Sequence, residues 1–412
     1  MLEVSMNPGK TLFKLGYAFK QSKIWKTIYE EELFAVDLDG EIGYCSLMGR
    51  NGQHIALAVY VGTKGFSTLR YMQTIDQSNL ADLLSQDCVQ CSLEKKEEFM
   101  PEELAAIQAY CKEGDIAFRA PYPRFSRYYP YCVPCSITDS ADKKHLREAL
   151  KVVVALAEIL QRYNKSDLHL RGIAFDTEGE TYVGTWGPAG PLTPNPSVTI
   201  PLFRLERGKL MCTDIPLPSY VERKPSPPTR INEIDLARLM KLPKKGIYQC
   251  QVVRAPEPVE GNPPYLPALL MTVDEETGMV LPPATAEGAL YNADALLDEF
   301  ISILVEQKAY PACICAQTEE TLAFLKGFCE KARIKLEKVE ELPGLEEAVD
   351  ALYEQYQQDD RPDMNEIFDQ ISQMSMEELA DLPPMLLSQL HMMDATGMLP
   401  EPLSKKLRKL RE

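Results

Sequence analysis

Positive charge is in short supply in this sequence relative to negative. Its 412 residues hold 44 Lys and Arg against 61 Asp and Glu, a formal charge of −17 at pH 7. So acidic a surface repels phosphate backbones and offers little counterion release, which disfavours nucleic acid as a partner. Histidine is scarce too. His54, His145, His169 and His391 are the four, and no two stand three or four residues apart, so a zincin helix and a local histidine metal cluster are excluded. No run of eighteen apolar residues occurs, and the opening MLEVSMNPGKTLFKLG lacks the apolar core of a leader, so neither a membrane span nor a signal peptide is expected. Cysteine, at 11 residues, is too sparse for a disulfide scaffold. Most of it sits in apolar runs, as Cys250 does in IYQCQVV and Cys313 and Cys315 in PACICA, so buried free thiols in a reducing cytoplasm are expected. Neither a G-x-G-x-x-G run nor a G-K-[ST] is expected before a helix, and no G-x-S-x-G elbow marks a nucleophile. No cofactor follows from the motifs.

What is present is ordinary globular composition, 45% hydrophobic and 25% charged, at a length that predicts two or three domains. Residues 11–28 set Leu12, Leu15, Phe19, Ile24 and Trp25 on one helical face. Apolar runs at Leu33–Val36, Ile42–Met48 and Ile55–Val61 are separated by Asp39-Gly40 and Asn51-Gly52, which predicts a three-stranded antiparallel meander. Pro101 with Glu102 and Glu103 opens a helix, Ala120–Pro134 reads as an extended surface crossing, and Ser140 or Asp142 caps a long helix reaching Tyr163. Two hairpins then turn at Glu178-Gly179 and Arg207-Gly208. The proline-rich VERKPSPPT, 221–229, reads as a linker. The expected domains are therefore 1–222, an α+β unit; 223–245, linker and short helix; 246–356, an α/β unit; and 357–412, a methionine-rich helical extension with helices at Asn365–Gln373 and Met376–Leu390 and a basic end at Ser404–Arg411.

Residues 246–356 read as three strands, a helix, a strand, a helix, a strand and a helix, the order used by ribonuclease-H-like nucleases. Their two-metal chemistry needs a carboxylate in the first strand and another at the end of the fourth. Here the first strand, GIYQCQVVR, has no acid, Gln317 stands where the second is expected, and Glu319, Glu346, Glu347 and Asp350 are the acids nearby. A degenerate, non-catalytic relative or an unrelated α/β sheet is preferred; a metal-dependent hydrolase is the alternative.

The stretches W-x-x-I-Y-x-E-E-L-F-A-V at Trp25–Val36, E-I-G-Y-C-S-L-M-G at Glu41–Gly49 and A-L-A-V-Y-V-G at Ala56–Gly62 resemble the N-terminal domain of a bacterial two-domain family of unknown function, and residues 246–356 resemble its companion domain. The resemblance implies a two-domain architecture and no activity.

Two further patterns carry chemistry. Cys88, Cys91, Cys132 and Cys135 form two C-x-x-C pairs, which four-thiolate zinc sites use, but forty residues separate them and a predicted helix intervenes, so free thiols are the preferred reading and structural zinc a second alternative. The resemblance implies aromatic residues where Cys132 and Cys135 stand, so a zinc site would be peculiar to this chain. Arg119, Tyr122, Arg124, Phe125, Arg127, Tyr128, Tyr129 and Tyr131 form an aromatic and basic segment, a candidate contact surface suited to stacked bases or a peptide, against the plainer reading that its rings pack inward. The sequence thus predicts a cytoplasmic α+β protein acting as a non-catalytic interaction or scaffold module with a protein partner.

Overall fold

The computed structural model describes residues 9–75, 80–114, 116–175, 180–184, 193–194, 197–219, 226–290 and 292–359, with positions 371, 374 and 406. Contacts divide the chain into two compact units, Met1–Leu345 and Glu346–Glu412. The helices expected at 365–373 and 376–390, the basic end and the turn at Glu178-Gly179 lie outside the described residues, isolated positions aside.

The first half of the larger unit holds α1 (Lys10–Ser22), β1 (Phe34–Asp37), β2 (Ile42–Met48), β3 (Ile55–Val61), α2 (Gly62–Thr74), α3 (Leu80–Leu83), β4 (Cys88–Glu94), α4 (Pro101–Glu113), β5 (Tyr122–Tyr128), β6 (Cys135–Ser136) and α5 (Ser140–Ile159). It closes with β7 (Gly172–Phe175), β8 (Thr181–Gly184), β9 (Thr193–Pro194), β10 (Thr199–Glu206) and β11 (Lys209–Pro216). The predicted meander is the middle of an eight-stranded sheet ordered β11-β10-β1-β2-β3-β4-β5-β6, in which only the β1–β10 pair is parallel. β7, β8 and β9 form a separate small sheet.

Strand alternation gives this sheet two buried faces. On one, Val89, Cys91 and Leu93 of β4 join Cys45, Leu47, Leu57 and Val59 beneath α1 and α5, whose Leu12, Phe13, Leu146, Leu150 and Val153 complete the core. On the other, Tyr44, Ala58, Tyr60 and Cys88 meet Phe66 and Leu69 of α2 and Ile173 and Phe175 of β7. α1 approaches β5 so closely that a Cβ on Gly16 would lie 2.7 Å from Pro123 Cβ, so a glycine is needed there.

Three expectations change. The helix expected to Ile28 ends at Ser22, because Lys23 takes a left-handed backbone (φ 51°) and a short 3-10 turn, Ile24–Lys26, follows. The cap of α5 is Asp139, which accepts from the amides of Ala141 (2.7 Å) and Asp142 (3.2 Å), in place of Ser140 or Asp142. Ala120–Pro134 is no surface crossing: its core is β5, paired with β4 on one side and β6 on the other.

The second half holds α6 (Glu233–Leu239), β12 (Ile247–Arg254), β13 (Ala268–Asp274), β14 (Ala284–Ala286), α7 (Ala293–Glu306), β15 (Cys313–Ala316), α8 (Glu319–Ala332) and β16 (Lys335–Lys338); α9 (Pro343–Asp359) follows. The expected succession of elements is present, and its sheet runs β14-β13-β12-β15-β16, with β12, β15 and β16 mutually parallel and β13 antiparallel to both neighbours. Tyr248, Cys250, Val252, Leu270 and Ile314 face Leu297, Phe300, Leu304, Phe324 and Phe328 of α7 and α8. Where β12 outruns the short β15, the amide of Val252 donates to Thr321 Oγ1 at 3.0 Å, so the helix start replaces the missing strand. The end of the linker is docked: Thr229 and Arg230 donate backbone N–H to Asp294 Oδ1 at 2.6 and 3.1 Å.

Phe300 is 1% exposed and meets Phe328 edge-on at 5.8 Å. Phe300→Ala should cost about 3–5 kcal/mol in denaturant unfolding, from lost burial and the cavity left. The amide of Arg230, then the groups of Thr229, hold the Asp294 carboxyl below its ordinary range. A carboxyl depressed in the folded state stabilises above its unfolded pKa, and that contribution vanishes as pH falls through the folded value. Asp294→Asn should therefore lower the Tm at neutral pH and converge with wild type in acid, followed by thermal melts across the pH range.

Candidate functional site

β4 and β5 do opposite things on their two faces. Towards α1 and α5 they are apolar; on the other face, one row of paired residues crosses five strands as Ser46, Ala58, Gln90, Ser126 and Ser136. The next row pairs Ala56 with Ser92 and Ser92 with Arg124. Ser46, Gln90, Ser92 and Ser126 are all buried, an unusual load of polar groups for the middle of a sheet. Some are matched: Ser46 Oγ donates to Glu30 O at 3.2 Å, and Gln90 Nε2 lies 3.1 Å from His54 Nε2. The hydroxyls of Ser92 and Ser126 make no hydrogen bond among the described residues and open onto a cleft of about 390 Å³.

The cleft is walled by Glu94, Glu103, Arg124, Tyr128 and the Pro134–Ser136 edge. Arg124 is aimed by its surroundings. Its guanidinium lies 4.3 Å from the Phe99 ring, ion-pairs with Glu103 Oε2 at 3.3 Å and donates to Glu98 O. Burial pushes the Tyr128 phenol up to about 12, so it stays neutral and keeps its proton. The cleft ends on β6, a two-residue edge strand that, among the described residues, pairs with β5 on one side only.

The eight residues expected to form one contact surface are divided. Tyr122 and Phe125 are core, 4% and 5% exposed, which removes them from any surface. Arg127 ties strand ends to α5, pairing with Asp87 (2.7 Å) and Asp142 (3.2 Å). Tyr131 belongs to the joint between the two halves: its carbonyl accepts from Leu266 N (2.8 Å), Val133 N donates to Pro264 O (2.8 Å), and Arg254 stacks on its ring at 3.7 Å. Arg124 and Tyr128 line the cleft, while Tyr129 and Arg119 are exposed.

The four-thiolate zinc reading fails on geometry. Cys88 and Cys91, three apart on one strand, face opposite sides of the sheet, one beside α2 and the other under α1. Burial raises both thiols, Cys88 to about 12, so they remain protonated. Cys132 forms an antiparallel bridge with Tyr265 in the joint, and Cys135 is on β6. All 11 cysteines are unpaired. In the second sheet Gln249 Oε1 accepts from Leu345 N (3.0 Å), Gln317 Nε2 donates to Glu340 O (2.7 Å), and Glu319 pairs with Lys338 (2.6 Å). Among the described residues, the group whose donor atoms converge at metal-binding distance is Cys313, Cys315 and Glu337. Gly9-Lys10-Thr11 does open α1, yet Val4 stands where a phosphate loop has its first glycine.

Residues 10–175 match the model of a domain of unknown function, DUF7309, and residues 235–353 match that of a second domain of unknown function, DUF6930. The chain joins a DUF7309 domain to a DUF6930 domain. No curated protein and no solved structure matches it. The cleft lies within the DUF7309 match, and the Tyr131–Val133 joint fastens that domain to the DUF6930 domain at Pro264–Leu266. β10 and β11 lie outside both matches yet belong to the DUF7309 sheet. No helix among the described residues is long and apolar enough to cross a membrane.

Sequence reasoning missed Ser92, Ser126, Ser136, Glu94 and Glu103. The signal was the alternation in β4, where Gln90, Ser92 and Glu94 are interleaved with Val89, Cys91 and Leu93. Arg254 also donates to Ala289 O at 2.7 Å. Arg254→Ala should cost about 0.5–2 kcal/mol through the lost cation–π contact, read as a lower Tm and as faster protease cleavage at 131–135.

Proposed function

We propose that this is a non-catalytic interaction module whose cleft on β4, β5 and β6 takes a short polar segment of a partner protein in extended form. The observation that carries the reading is the pair of buried serines, Ser92 and Ser126, whose unmatched hydroxyls open onto the cleft. Each hydroxyl can donate and accept, so where they open onto the cleft these two are available to an incoming donor or acceptor. An extended peptide supplies both at regular intervals, and β6 offers it a free strand edge. Arg124 would bind a carbonyl or carboxylate of the guest, and Glu94 a basic or N–H group. With 61 acidic residues against 44 basic ones, the chain favours a protein guest over a nucleic acid. The 11 unpaired thiols suit a reducing compartment, which supports a cytoplasmic location.

The test is a photo-crosslinking residue at Pro134, beside the cleft. A discrete protein adduct is expected, to be lost in Ser136→Trp, which fills the cleft, and weakened by about 2 kcal/mol in Arg124→Ala. An adduct of undiminished yield in the Ser136→Trp chain, with its Tm unchanged, would show that the cleft is not where the partner binds.

A further inference from the structure

On β15, Cys313 and Cys315 are two residues apart and therefore share a face, the one turned away from α7 and α8; Ile314, between them, points into the helix-covered core. The neighbouring parallel strand sets Lys335 beside Cys313 and Glu337 beside Cys315. One donor atom from each of Cys313, Cys315 and Glu337 lies within 4.8 Å of the others, and Cys313 Sγ is 3.5 Å from Glu337 Oε2. The carboxylate is held in place: its other oxygen, Oε1, pairs with Lys335 Nζ. Six other cysteines (45, 88, 91, 111, 250 and 329) sit inside the apolar clusters, whereas these two do not.

We propose that Cys313, Cys315 and Glu337 form a binding site for one thiophilic divalent metal ion of the zinc type. A tetrahedral ion with Zn–S about 2.3 Å and Zn–O about 2.1 Å needs ligand atoms about 3.6 to 3.8 Å apart, which the observed spacing meets with only small side-chain rotations. Two thiolates and a carboxylate around a dication leave a single excess negative charge, which the ammonium of Lys335 offsets from the far side of Glu337. Three protein ligands leave a fourth position for water, so the site is open rather than sealed. A disulfide fits less well. Two residues along a strand span about 6.6 Å between Cα atoms, at the upper limit of disulfide geometry. The chemistry differs from that expected of a nuclease-like sheet, since soft sulfur donors select zinc-type ions over magnesium.

The full-length chain, stripped with chelator and dialysed, is titrated with zinc, and separately with cadmium to read the thiolate-to-metal charge-transfer band in the ultraviolet. One tightly held equivalent is expected. Cys313→Ser and Cys315→Ser should each weaken it by at least ~10-fold and abolish or halve the band. Glu337→Gln changes a half-buried side chain outside the apolar clusters, and should weaken zinc while leaving the cadmium band in place. Stoichiometric zinc unchanged in Cys315→Ser and in Glu337→Gln, zinc lost instead in a Cys132→Ser, Cys135→Ser double variant, or no equivalent retained by the wild-type chain would each overturn the proposal.

Discussion

Strand parity governs this molecule more than any single contact. A residue in a strand faces the side opposite to its neighbours, so every sheet that is covered on both sides must satisfy two environments with one alternating sequence. In β4 that means Val89, Cys91 and Leu93 under α1 and α5, with Cys88, Gln90, Ser92 and Glu94 on the reverse. The same rule sorts the thiols. Cys88 and Cys91, at odd separation, are parted by the thickness of the sheet; Cys313 and Cys315, at even separation, are brought together.

The joint between the two matched domains works differently, because it is made largely of backbone. Tyr131 and Val133 exchange hydrogen bonds with Leu266 and Pro264, and Arg254 covers the ring of Tyr131. Main-chain pairing of this kind leaves almost no trace in side-chain pattern. A segment rich in tyrosine and arginine, which alone resembles an open binding surface, is thus divided between a core strand, a domain joint and one wall of a cleft.

Electrostatics here is mostly local and positional. Many of the ion pairs are exposed, and such pairs contribute about 0–1 kcal/mol each. Glu32 is an exception: it is 4% exposed, accepts from Tyr29 N at 2.8 Å and takes Lys165 Nζ at 2.5 and 2.7 Å. A buried pair of this sort specifies geometry more than it adds stability, since desolvation offsets most of its Coulomb attraction. It fixes the turn after α5 against the chain entering β1. Arg127 does the equivalent at the other end of the sheet, between Asp87 and Asp142.

By itself the amino-acid sequence determined the elements whose signals are local: the strands at Phe34–Asp37, Ile42–Met48 and Ile55–Val61 with their Asp39-Gly40 and Asn51-Gly52 turns, the helix opened by Pro101, and the alternation of strands and helices from Ile247 to Lys338. These depend on backbone preferences and on apolar period, both readable over a few residues. Only the tertiary structure decided which strands became neighbours, and with that everything functional. The parallel docking of β10 on β1, the insertion of β5 beside β4, and the pairing of Glu337 with Cys315 join residues far apart in sequence through a register that no local preference specifies. The cleft and the thiol–carboxylate cluster exist because of those pairings, which is why their residue types were visible in the sequence and their meeting was not.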